Sequence, residues 1–179
     1  MSDKILILKN DRAGDLFTSL TLISSLIHRY EYIKIYLSEL NSGFSFFFKG
    51  KKINKVNFNL SLSDKFSIFY DILVNDYKKI YILTPKSFYF ILPFFFRNIK
   101  FYAIVYDGFE RSRPSNYLRN YLFKYKVIYR NQINQKSYRQ LQNDLLDDNI
   151  ALDTNHNALF IPKIPKSLKN LLPNKYILF

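Results

Sequence analysis

The stretch LKNDRAGDLFTSL, residues 8–20, gathers Asp11, Arg12, Gly14 and Asp15 where a hydrophobic run gives way to a helical pattern. A strand, a short loop and then a helix is where parallel α/β sheets bind ligands. The loop lies beyond the carboxyl edge of the sheet, and the helix offers unpaired N–H groups and a positive dipole end. Gly14, one of only four glycines, is expected to let the backbone turn sharply or approach a ligand closely. Asp15 then falls at the cap or in the first turn, facing the cleft. Two roles are open to it. Aspartate is a favoured cap, worth about 0.5–2 kcal/mol to a helix, and a carboxylate held by that geometry can also do catalytic work. No G-x-G-x-x-G or G-x-x-x-x-G-K-[ST] occurs, which excludes a dinucleotide fingerprint and a P-loop.

The elements that would position these groups follow from hydrophobic periodicity. Residues 4–9 (KILILK) read as a buried strand, and 15–29 place Leu16, Leu20, Ile23 and Ile27 on one helix face. Strands are expected again at 32–37, 53–58, 79–84 and 100–106, with helices at 64–77 and 86–97, the latter kinked or broken at Pro93. This alternation predicts βαβ units and a parallel sheet flanked by helices. Beyond residue 106, Pro114–Tyr125 and Gln135–Asp147 read as helical. Pro162, Pro165 and Pro173 then break up a lysine-bearing linker, and NKYILF (174–179) reads as the first strand of something new.

Composition narrows the classes. At 179 residues the chain has the size of one domain, able to bury roughly 70% of its unfolded surface. It has no cysteine and only His28 and His156, so no disulfide framework, thiolate chemistry or zinc site is expected, nor any other metal or cofactor. MSDKILILK lacks the features of a signal peptide, and a cytoplasmic protein is expected. The most apolar later run, FYFILPFFF (88–96), is far short of the ~20 residues of a membrane span. Core is its first reading; peripheral contact with anionic membrane, through an aromatic helix on a basic protein, is its second.

Net charge is +13, which invites an anionic partner. The basic residues are dispersed, however, and the abundance of Lys, Asn, Ile, Phe and Tyr is what an AT-rich genome produces. After the strand at 100–106, Arg111 and Arg113 in DGFERSR are candidates for binding a phosphate, with a solvated loop the plainer reading. KGKK (49–52) reads as a solvated turn and DLLDDN (144–149) as an exposed helix end.

KILILKNDRAGDLFTSLTLISSL resembles the N-terminal signature of glycosyltransferase family 9, the lipopolysaccharide heptosyltransferases: a strand ending in lysine, a short loop reaching Gly-Asp, then an apolar helix. DYKKIYIL, KFYAIVYDG, the helix from Gln135 and the restart at NKYILF follow in the family's order. The resemblance implies the N-terminal half of a bacterial GT-B enzyme of lipopolysaccharide biosynthesis. Residues 1–160 would be a Rossmann-like acceptor-binding domain, 161–173 a linker and 174–179 the first strand of a truncated donor-binding domain. It implies inverting, metal-independent transfer of a sugar from a nucleotide-sugar donor to a phosphorylated glycolipid acceptor. Asp15 would be the general base, and Lys9, Asp11, Arg12 and Gly14 would lie at the acceptor. The fragment alone would be inactive. The sequence departs from the family in NQKSYRQ, where a histidine is often found, and it has no D-x-D motif. Two readings compete with this one. The first is a basic single-domain nucleic-acid binder, which no recognisable binding motif supports; the second is a truncated non-catalytic copy.

Overall fold

The computed structural model describes residues 3–107, 116–129 and 137–160. Strand β1 (Lys4–Lys9) leads through a three-residue loop into α1 (Ala13–Arg29). There follow β2 (Ile33–Ser38), a 3-10 helix (Ser42–Phe48), β3 (Lys52–Val56), α2 (Leu62–Val74), β4 (Tyr77–Ile82), α3 (Ser87–Phe95) and β5 (Lys100–Asp107). A short α4 (Asn116–Arg119), β6 (Lys124–Tyr129) and α5 (Tyr138–Asn143) complete the described chain. The six strands form one sheet in the order β3-β2-β1-β4-β5-β6, every pair parallel, which is a Rossmann-like α/β fold.

Alternation along the strands divides the core into two layers. Ile5, Ile7, Ile35, Tyr81, Tyr102 and Ile104 face α1, the 3-10 helix and Leu145, Leu146 and Ile150. Leu6, Leu8, Ile80, Ile82, Ala103 and Val105 face α2, α3 and Leu122 on the other side. Helix α1 buries Leu16, Leu20, Ile23 and Leu26. Helix α2 starts at a capping box, where Ser61 accepts from the Asp64 N–H and the Asp64 carboxylate accepts from the Ser61 N–H at 2.9 Å.

Three expectations are corrected. Helix α3 is not broken at Pro93; it runs through that residue to Phe95 and ends with the Phe96 N–H donating to the Leu92 carbonyl at 3.0 Å. The helix expected over Pro114–Tyr125 is confined, among the described residues, to Asn116–Arg119, and Tyr125 belongs to β6. The spacing of Leu118, Tyr121 and Tyr125 suits a helix, but KYKVIY also alternates, and pairing of Tyr102 through Asp107 with Lys124 through Tyr129 wins. The helix expected over Gln135–Asp147 forms as α5, six residues long. The expected linker and terminal strand, 161–179, lie outside the described residues.

Candidate functional site

The chain leaves β1 toward β2 and β3, then returns to lay β4 on the other side of β1. Loops after β1 and β4 therefore diverge, and a crevice opens between them at the carboxyl edge, the ligand position in sheets of this order. Asn10, Asp11, Arg12 and the first turn of α1 form one side; Thr84, Pro85 and Lys86 precede α3 on the other.

The floor of the β1–α1 loop is a buried ion pair. Lys9 is 0% exposed and Asp11 7%, and Lys9 Nζ lies 2.6 Å from Asp11 Oδ2. Burial pushes the Lys9 ammonium below its ordinary range and the Asp11 carboxyl above its own, and the contact between the two opposes both shifts. Neighbouring elements fix this pair in place. Asn41 Nδ2 donates to the Lys9 carbonyl at 2.9 Å and Ser38 Oγ to the Asp11 carbonyl at 2.5 Å. The Tyr138 ring, from α5, lies 5.7 Å from Lys9 Nζ; its hydroxyl donates to the Leu83 carbonyl at 2.9 Å. Tyr106 at the end of β5 stacks on Tyr138, with centroids 6.3 Å apart.

Asn10 anchors the loop to the far side. Its Nδ2 reaches the carbonyls of Asn57 and Phe58 at 3.4 Å, and Tyr89 donates to its Oδ1 at 2.8 Å. Lys86 donates to the Phe58 carbonyl at 2.6 Å and covers the Phe58 ring at 4.4 Å. Partial burial lowers its pKa, with Asp11 and Glu39 opposing.

Above this fixed floor the mouth is open. Arg12 is the extended N-cap residue of α1, exposed, and its side chain makes no cap hydrogen bond. Gly14 lies inside the first turn of the helix, with nothing within 4 Å of the position a Cβ would take. It makes no sharp turn, so that expectation is corrected. Asp15 is exposed in the same turn, and its carboxylate makes no hydrogen bond to another described residue. Asp15 is therefore not the cap, and its charge is felt by Lys9, Asp11 and Tyr106.

The site residues read from the sequence thus separate into two groups. Arg12, Gly14 and Asp15 share the open mouth, whereas Lys9 and Asp11 face one another beneath it and present almost no surface. Arg111 and Arg113 lie outside the described residues. Sequence reasoning missed Asn10, Asn41, Thr84, Lys86, Tyr106 and Tyr138. Thr84 and Lys86 carried a signal, since they follow a clear strand at its ligand edge; Asn41 and Tyr138 reach the loop from distant elements and carried none.

Other singled-out stretches hold structure together. Asp147 of DLLDDN accepts from Lys79 at 2.8 Å and Tyr102 at 2.9 Å, so this segment is fastened to the sheet rather than solvated. Lys49 and Lys51 of KGKK line a cleft of about 500 Å³ between the 3-10 helix and β3, with Lys49 over Phe160 and Lys51 donating to the Glu31 carbonyl. Among the described residues no group of three or more His, Asp or Glu is arranged to hold a metal, and no helix is long and apolar enough to cross a membrane.

No family model and no curated protein matches the chain. Among solved structures it is similar to E. coli heptosyltransferase WaaC with ADP, at a TM-score of 0.52 and 11% identity. That match covers 79% of this chain and 45% of the heptosyltransferase, so the chain spans less than half the length of its neighbour. A phenylacrylic acid decarboxylase from Aquifex aeolicus also matches, at a TM-score of 0.40 and 9% identity over 81% of this chain and 92% of that one. The heptosyltransferase likeness is one of fold.

Proposed function

We propose that the chain is the acceptor-side part of a glycosyltransferase that moves a sugar, with inversion, from a nucleotide-sugar donor to a hydroxyl of a phosphorylated glycan acceptor of lipopolysaccharide type. The observation that carries this reading is the exposed, unbonded Asp15 carboxylate in the first turn of α1, beside the β1/β4 crevice. The fold shared with a heptosyltransferase and the likeness of the β1–α1 stretch to family 9 give that carboxylate its role.

In this reading Asp15 accepts the proton of the acceptor hydroxyl as the oxygen attacks the anomeric carbon. The bond to the nucleoside diphosphate breaks on the opposite face and the diphosphate leaves with its electron pair. The uncapped start of α1 and the exposed Arg12 guanidinium hold acceptor phosphate or carboxylate at the same mouth. Arg111 and Arg113 are assigned the same task. Lys9 and Asp11 do not touch the acceptor: as a fixed pair they position the loop that carries Asp15. Donor contacts are assigned to the part of such an enzyme that this chain does not span.

The test is Asp15→Asn in the protein expressed at its native length, assayed with nucleotide-sugar donors and a lipopolysaccharide-type acceptor. The Asp15 carboxylate makes no hydrogen bond to another described residue, and Asn keeps the backbone carbonyl that accepts from Thr18 and Ser19. Asn therefore leaves the thermal midpoint unchanged, while loss of the base lowers the rate by about 10²–10⁴-fold. An unchanged rate removes Asp15 from the chemistry. No transfer with any nucleotide sugar in the unaltered protein would remove the transferase reading itself.

A further inference from the structure

Helix α2 is built inside out for a helix on a water-exposed layer. It buries Ile68, Asp71 and Ile72 against the sheet, as the 3.6-residue period requires. Its outward face would ordinarily be charged. Instead Leu62 is 81% and Phe66 80% exposed, and Tyr70, Leu73 and Val74 are each more than half exposed. Ser63 and Ser67 complete that face, so no charged side chain interrupts it. The apolar surface continues onto α3, where Phe95 meets Phe69 of α2 at 5.7 Å and Ile91 and Phe94 are also exposed.

Exposed apolar residues scattered singly need no explanation, but five along one helix joined to three on the next form a patch that needs an occupant. The charges at its border identify one. Arg97, two residues past α3, stacks on Phe94 and Tyr121 at 5.4 and 5.2 Å, and Lys65 lies on α2 itself. Of the nearby acids, Asp64 is held by the capping box and Asp76 is paired with Lys78 at 2.7 Å. A second copy of a chain carrying +13 would meet this border with repulsion, whereas an anionic bilayer meets it with attraction.

We propose that the outward face of α2, extended by the end of α3, is a membrane-docking surface. It seats Leu62, Phe66, Tyr70 and Phe95 at the acyl boundary of an anionic lipid bilayer while Arg97 and Lys65 engage lipid phosphates. The face lies on the opposite side of the sheet from α1, and its assignment does not depend on the role of Asp15. The apolar run at 88–96 contributes to this surface only through Ile91, Phe94 and Phe95, because Tyr89, Phe90, Leu92 and Pro93 are core.

The test is co-sedimentation of the 179-residue chain with phosphatidylcholine vesicles, alone and doped with phosphatidylglycerol. Binding is expected with the anionic vesicles, and Leu62→Ser/Phe66→Ser/Tyr70→Ser weakens it at least ~10-fold, since each side chain loses its apolar transfer gain. The triple variant keeps the parent's unfolding midpoint because all three side chains face solvent. The chain has no tryptophan, so Phe66→Trp adds a single reporter whose emission shifts to the blue on vesicles. Three results would overturn the proposal: no vesicle binding by the parent; equal binding by parent and triple variant, which leaves charge alone as the cause; or a parent dimer that the triple variant dissolves, which assigns the face to a second copy. Tryptophan emission that stays unshifted when the Phe66→Trp variant is bound to vesicles would overturn it as well.

Discussion

Lys9 Nζ and Asp11 Oδ2 meet at 2.6 Å beneath the β1–α1 loop, where neither side chain has appreciable contact with water. Desolvating two charges costs about as much as their attraction returns, so the pair is weak evidence for stability in itself. Its effect is geometric. The strand's last residue is tied to the middle of the loop, so the chain must enter α1 along one path, and Arg12 and Asp15 emerge on the open side.

Removing one partner leaves the other charge buried and uncompensated. Asp11→Ala is therefore expected to cost about 3–5 kcal/mol, and Lys9→Met/Asp11→Leu to recover most of that loss. Urea unfolding of the two variants checks it. A cost under ~1 kcal/mol for Asp11→Ala would mean that the Lys9 ammonium finds water or gives up its proton, and that the pair does not fix the loop.

Gly14 offers a second, opposite test. It sits in the first turn of α1, with open space where a Cβ would go and no left-handed backbone angle. Gly14→Ala should then stabilise the chain by about 0.4–1 kcal/mol by restricting the unfolded state. If the thermal midpoint rises while acceptor affinity falls, the glycine is there for the ligand's approach; a fall in the midpoint would show that α1 does not begin where the structure begins it.

The difference between these residues also marks what periodicity could reveal. The alternation of β1, β2, β4 and β5 with α1, α2 and α3 was legible because each carries a strong period of its own, and the parallel sheet followed from it. Strand β6 was not, because Leu118, Tyr121 and Tyr125 fit a helix while Lys124–Tyr129 fits a strand, and only pairing with β5 decides between them. At the site, the local stretch disclosed Asp11, Arg12, Gly14 and Asp15, but not that Lys9 is enclosed. The groups enclosing it come from elsewhere: Ser38 and Asn41 at and after the end of β2, and Tyr138 from α5. Tyr138 falls in NQKSYRQ, and its aromatic ring lies 5.7 Å from the buried Lys9 ammonium.

Acid titration separates another contact from the general charge of the chain. Burial works against ionisation of Asp147, but hydrogen bonds from Lys79 and Tyr102 outweigh it and hold the carboxyl below its ordinary value of 3.8. Lys79 is shifted the other way: burial lowers its pKa, while Asp147 and Tyr30 raise it above 10.5. A depressed carboxylate contributes stability that is present above the unfolded pKa and lost as pH falls through the folded one. A raised ammonium contributes stability that is present below its unfolded pKa and lost as pH rises through the folded one. The contact is therefore whole between roughly pH 5 and pH 9 and weakens on the acid side below about pH 4. Many carboxylates titrate there, and a chain at +13 gains further repulsion as they do, so total stability says little. The difference between the parent and Asp147→Asn isolates the contact. It should be constant across the neutral range and shrink toward zero below pH ~4. A difference that stays level down to pH ~2 would show that the Asp147 carboxyl is not held low, and that Lys79 and Tyr102 fasten the segment after α5 by neutral hydrogen bonds alone.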